Sequence, residues 1–121
     1  MFRDDPDFWS SLDRLAADCP VIIDRPRGQP HPDFPGLIYP RDYGYLEGTS
    51  GGDGAEIDVW LGESGERRVT AVLCTVDPYK RDSEVKVMLG CSGSELELIG
   101  NWLRTEAELP HLTVLRPGAS A

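Results

Sequence analysis

A chain of 121 residues has room for one modest hydrophobic core and not for two, so a single domain over residues 1–121 is expected. Its net charge of −9 repels nucleic-acid phosphate and anionic lipid, which excludes nucleic acid and membrane surfaces as favoured partners and makes cations the natural small ones. With 40% hydrophobic residues and no apolar run of membrane-spanning length, the composition is that of a soluble globular protein.

The start, "MFRDDPDFW", lacks a cationic region followed by an apolar one, so no secretory signal is expected and cytoplasmic residence is the default. Next, Asp5 stands as an N-cap with Pro6 at the first helical position. Phe8, Trp9, Leu12, Leu15, Ala16 and Cys19 recur at helical spacing, which predicts an amphipathic helix. After Pro20, "VIIDRP" reads as a short strand. "RGQPHPDFPG" carries three prolines and two glycines and reads as a loop. "LIYP" and "YGYLEG" read as short aromatic β segments. The glycines around Ser50 mark a turn, and in "EIDVWL" Ile57, Val59 and Leu61 alternate with Glu56, Asp58 and Trp60.

"RRVTAVLCTVD" has the near-continuous apolar run of a central strand. "PYKRD" breaks it before "SEVKVMLG", in which Val85, Val87 and Leu89 oppose Glu84, Lys86 and Met88. Ser94-Glu95-Leu96-Glu97 fits a capping box, so residues 94–107 should be helical. "HLTVLRP" reads as an edge strand, and the tail "PGASA" as frayed. Short strands at turn-rich spacing with a helix near either end predict an α+β, mainly β fold: a small barrel or a strongly curved antiparallel sheet. Cys19, Cys74 and Cys91 form no CxxC pair and leave an odd count. They read as reduced thiols, without a disulfide framework or structural zinc.

Four acids stand at strand edges or loop mouths in two pairs, each five residues apart: Asp53 with Asp58, and Asp77 with Asp82. Clustered carboxylates repel one another unless a cation lies between them, and oxygen-only ligation suits Mg²⁺, with Mn²⁺ as a second possibility. Each aspartate is also an ordinary turn residue: Asp53 precedes Gly54, and Asp77 precedes Pro78. Arg25, Arg27, Arg41, Lys80, Arg81 and Lys86 lie close by in sequence, and carboxylate-held ions beside such cations would suit a polyphosphate. Tyr39, Tyr43 and Tyr45 read equally as pocket residues and as core aromatics. His31 and His111 show no ligand spacing and receive no role.

At these residues the chain resembles the soluble (family I) inorganic pyrophosphatases, as a shortened and divergent member. Their signature runs roughly Tyr-Pro-x-x-Tyr-Gly-x, a glycine- or threonine-bearing stretch, then Asp-Gly-Asp-Pro-x-Asp-Val. Here it reads "YPRDYGYLEGTSGGDGAEIDVWLG", and "VDPYKRD" is similar to the family's second acidic segment. The resemblance implies a five-stranded OB-like barrel packed against helices, metal ligands at Asp53, Asp58, Asp77 and Asp82, and a phosphate contact at Tyr43. It departs where Ala55 replaces the aspartate that handles the attacking water and Glu56 replaces the following proline. A hairpin bearing further charged residues is also missing, with Asp24, Arg25 and Arg27 as stand-ins, and Trp102 and Arg104 stand for a Tyr-Lys pair.

The expected function is Mg²⁺-dependent hydrolysis of pyrophosphate, or a related small phosphoanhydride, by metal-activated water. Asp58 is central, Glu56 is the replacement base by strand alternation, and Arg27, Tyr43, Lys80 and Lys86 are the phosphate-binding candidates. The alternative is a catalytically reduced domain of the same kind that binds divalent metal or phosphate ligands, or serves as an interaction module. Homo-oligomer contacts through aromatics such as Trp60 or Trp102 are one further reading, and each of the two reads as readily as a core residue.

Overall fold

Asp5 takes up the N-cap position: its carboxylate accepts a hydrogen bond from the Asp7 amide at 2.9 Å, and Pro6 opens helix α1, Pro6–Asp18. The computed structural model describes residues 5–118, so the first four residues and the end of the expected frayed tail, from 119 on, lie outside the described residues. Trp9, Leu12 and Ala16 turn inward from α1, whereas Phe8 and Leu15, expected on the same stripe, are exposed. Asp13 fastens the helix by accepting from the Val69 amide at 3.0 Å and pairing with Arg116 at 2.8 Å.

The strands are β1 Val21–Arg25, β2 Asp42–Leu46, β3 Ile57–Leu61, β4 Val69–Asp77, β5 Asp82–Leu89 and β6 His111–Leu115, with helix α2 Gly93–Thr105 before the last. They form one six-stranded sheet in the order β1-β2-β3-β5-β4-β6. Neighbours are antiparallel except β3 and β5, which run parallel with Val59 opposite Val87. Among the described residues β1 and β6 remain edges, so the sheet is curved but open, and it has six strands where a five-stranded barrel was the alternative. The apolar run of β4 does sit between two strands, and β6 is an edge as expected.

Alternation along the strands divides the core in two. On one face Val59, Val69, Val72, Val87 and Leu89 pack under α1. On the other, Tyr43, Trp60, Leu73 and Met88 pack under Leu96, Ile99 and Leu103 of α2. Cys91 is buried beneath α2, Cys19 and Cys74 are half-buried, and all three are free thiols.

Two local expectations change. "LIYP" is not a strand: Ile38 makes a single bridge to Pro30, and the segment folds back on "GQPH" through Tyr39 N to Gln29 O at 3.0 Å and His31 N to Leu37 O at 2.8 Å. The prolines remove donors a longer ladder would need. The α2 cap is Ser92, two residues earlier than expected: its hydroxyl accepts from Glu95 N at 3.2 Å, and the Glu95 carboxylate accepts from Ser92 N at 3.1 Å.

β1 lies close against β2 next to a register shift between Ile23 and Arg25. There a Cβ on Gly44 would fall inside the Ile22 carbonyl and 2.9 Å from Ile23 Cα. Gly44→Ala should therefore cost about 1–3 kcal/mol of stability by forcing two backbones apart, measured by urea denaturation. An unchanged midpoint would mean that β1 can move aside freely.

Candidate functional site

Lys86 projects from β5 onto the α2 side of the sheet, where strand alternation also puts Tyr43 of β2 and Asp58 of β3. Its ammonium group, only 8% exposed, donates to Tyr43 Oη at 2.8 Å, to Asp58 Oδ2 at 2.9 Å and to Glu84 Oε2 at 3.2 Å. Those are all the donors an ammonium has. Burial alone would lower the Lys86 pKa, but Tyr43 and Asp58 outweigh it and hold the group above the ordinary lysine range. Burial pushes the Tyr43 phenol well above the usual tyrosine value, so it stays neutral and keeps its proton to donate.

Glu84 is the strained member of this cluster. Burial raises its carboxyl above the usual range, Lys86 pulls it back down, and a hydrogen bond with Asp53 keeps the balance upward. Asp53 is displaced the other way, first by that bond to Glu84 and then by the Ala55 amide, which donates to it at 3.0 Å. A carboxyl held against its preference in a cleft is a mark of functional sites.

The cluster heads a cavity of about 410 Å³. Its floor is sheet: Tyr43, Trp60, Thr75 and Lys86. One wall is the β1–β2 connection with His31, Phe34, Leu37 and Tyr39; the other is the end of α2 and the following loop, with Trp102, Ala107 and Leu109. Arg25 joins from the end of β1, donating to Tyr39 Oη at 2.7 Å while its guanidinium lies 5.5 Å from the Tyr43 ring centre. Tyr39 stands 5.6 Å from Tyr43 and 5.1 Å from Trp102, centre to centre, and His31 stacks on Tyr39. Trp60 Nε1 is buried in this group without a hydrogen-bond partner.

Six of the nine site residues expected from sequence line this cavity: Tyr43, Asp58, Asp77, Lys80, Asp82 and Lys86. Asp53 and Glu56 instead line an adjoining cavity of about 390 Å³, and Asp58 and Glu84 border both. Arg27 lies apart from both linings; it pairs with Glu63 at 3.2 Å, and both side chains are more than half exposed. Trp60 is buried and Trp102 half-buried against the core, so of their two readings the core one holds. Arg104 is exposed and bonds Asn101.

Three residues of the site carry no assigned part in the sequence: Arg25 is only a stand-in, Glu84 only a polar position of its strand, and His31 has no role. For Glu84 a signal was present, because it lies two residues from Lys86 and therefore on the same face of β5. Nothing local points to His31, which reaches the site through the fold of its loop.

Asp77 and Asp82 face each other at the turn end of the β4–β5 hairpin, but Asp77 is committed to its turn, accepting from the amides of Tyr79 at 3.0 Å and Lys80 at 3.1 Å. Asp53 accepts within its own turn in the same way, and Asp58 faces Lys86. Among the described residues no group of three or more His, Cys, Asp or Glu side chains is placed to hold a metal ion. This arrangement of the four aspartates does not fit a preformed Mg²⁺ or Mn²⁺ centre.

No protein-family model matches the chain, and no curated protein matches it. Among solved structures the fold is similar to that of an inorganic phosphatase from Anaplasma phagocytophilum. The likeness has a TM-score of 0.52 and 16% sequence identity, covering 78% of this chain and 81% of the other. At that identity the likeness shows a shared fold alone; in this chain that fold is an open six-stranded mixed sheet with two helices, where the motif resemblance implied a five-stranded barrel packed against helices. No helix among the described residues is long and apolar enough to cross a membrane.

Proposed function

We propose that this chain is a catalytically reduced pyrophosphatase-like domain that binds a phosphate ligand in the cavity headed by Lys86. One observation carries the reading: the ammonium of Lys86 occupies the space among Asp58, Glu84 and Tyr43, so the central carboxylate of the expected metal set is neutralised from within the chain. Ala55, in place of the acid that would handle water, supports the same conclusion.

The groups left for an anion follow from the donor inventory. Lys86 supplies charge, with its three donors engaged. Arg25 has one of five N–H donors committed to Tyr39, Lys80 extends from an exposed turn, and the Tyr43 hydroxyl accepts from Lys86 while retaining its own proton. Five carboxylates line the cavity against three cations, so a phosphate ligand should bind better accompanied by a cation than alone.

Two measurements on the full chain test this. Calorimetry should show pyrophosphate binding in Mg²⁺ that weakens in chelator and is reduced about tenfold by Arg25→Ala, a charge-assisted contact. Phosphate release from pyrophosphate under the same conditions should stay at the level of buffer. Metal-dependent release that disappears in Asp58→Asn would replace this reading with hydrolysis, with Asp58 as a required residue.

A further inference from the structure

We infer that the ligand of this cavity carries a planar ring as well as phosphate, and that Phe34 and its loop form the ring subsite; the inference rests on the phosphate-binding reading above. A bare inorganic anion has no use for an apolar wall. Yet the lining includes Phe34, Leu37, Trp102, Ala107 and Leu109 as well as the charged groups, and the whole space, about 410 Å³, lies in the range of about 300–1,000 Å³ usual for organic ligands.

Phe34 is the most informative of these residues. It lines the cavity with 59% of its surface exposed, so its ring is accessible to a ligand. The loop that displays it is held by the Pro30–Ile38 bridge, by Leu37 N to Phe34 O at 2.9 Å, and by flanking Pro32 and Pro35, so its backbone is restrained before any ligand arrives. On its inner side the Phe34 ring meets His31 at 5.1 Å, and His31 stacks on Tyr39 at 6.1 Å with the planes only 19° apart. One pair of flat faces, His31 on Tyr39, is thus already near parallel on this wall, with Phe34 tilted 52° against His31. A ring entering between the loop and the α2 end would extend the stack while its phosphate reached Arg25, Lys80 and Tyr43. A nucleotide has both parts.

The experiment is calorimetric titration of the full chain, in Mg²⁺, with ADP, pyrophosphate and adenosine, for the wild type and Phe34→Ala. Phe34 is exposed, so its removal should leave folding intact, which thermal unfolding of the variant checks. ADP should bind about tenfold tighter than pyrophosphate, the effect of one stacked ring. Phe34→Ala should remove most of that advantage while leaving pyrophosphate affinity unchanged. Equal affinity for ADP and pyrophosphate, or a variant that keeps the full ADP advantage, overturns the ring subsite and leaves the phosphate reading standing. Adenosine binding as tightly as ADP while pyrophosphate fails to bind would reverse that outcome, keeping the ring subsite and removing the phosphate site. Binding by none of the three overturns both.

Discussion

Lys86→Met lowers stability at neutral pH by about 2–3 kcal/mol and abolishes pyrophosphate binding; this is the result expected from the geometry of the cluster. Methionine keeps the length and apolar stem of lysine while removing the charge, so the loss reports on the ammonium alone. Without it, Asp58 and Glu84 face one another beside a neutral Tyr43 with no cation between them. Breaking one side of a buried ion pair usually costs about 3–5 kcal/mol; here the Asp58 and Glu84 side chains are 32% and 29% exposed, and water screens part of the penalty. Adding Asp58→Asn in the Lys86→Met background should recover about half of the loss by removing one orphaned charge. The deficit should also shrink in acid, because burial raises the Glu84 carboxyl above its ordinary range and its protonation removes an unpaired charge. Urea denaturation of the two variants at pH 7 and pH 4 checks the three stability statements, and calorimetry with pyrophosphate in Mg²⁺ checks the loss of binding. Wild-type stability in the single variant would show that the carboxylates are satisfied without Lys86.

Glu95→Ala is expected to cost about 3–5 kcal/mol, the larger effect of the two. Glu95 belongs to the capping box of α2, but its carboxylate also accepts from Arg41 Nε at 2.6 Å and from the Glu63 amide at 2.8 Å. Removing it leaves the Arg41 guanidinium, 13% exposed, with Glu63 at 3.8 Å as its remaining salt-bridge partner, and strips the cap and the β3–β4 connection of one acceptor. The cap by itself accounts for about 1 kcal/mol.

The pH dependence has a definite sign. Burial opposes the Glu95 charge, but Arg41 and the two backbone amides outweigh it and hold the carboxyl below its ordinary value of 4.5. A depressed folded pKa means that the stabilisation is present in full above about pH 4.5 and is lost as pH falls through the folded value. The gap between wild type and Glu95→Gln should therefore be widest at neutral pH and close in acid. A gap that stays constant down to pH 3 would locate the contribution of Glu95 in packing instead of charge.

The two helices, most strand limits and the alternation that sends Asp58 and Trp60, or Lys86 and Met88, to one face were legible in local pattern, because a strand's period of two is a property of the backbone alone. The motif resemblance pointed to a fold that a solved structure shares, but the five-stranded barrel it implied is here an open six-stranded sheet. Local sequence could not choose between two capping registers, since Ser-x-x-Glu occurs from Ser92 and again from Ser94. The choice fell to Ser92 because Glu95, not Glu97, is the acid that reaches Arg41 and the Glu63 amide from elsewhere in the fold.

The same limit governs the site. The sequence by itself determined which residues are acids and which strand faces carry them; tertiary structure alone decided what each carboxylate meets. Asp58 meets an ammonium from 28 positions away, and Asp53 and Asp77 turn to amides two positions on. His31 and Phe34 reach the cavity through a folded-back loop. The physical reason is that charge pairing depends on distances of a few ångströms between strands, and the order and direction of strands, here a parallel β3–β5 pair inside an otherwise antiparallel sheet, are set by the fit of whole faces and not by any one segment.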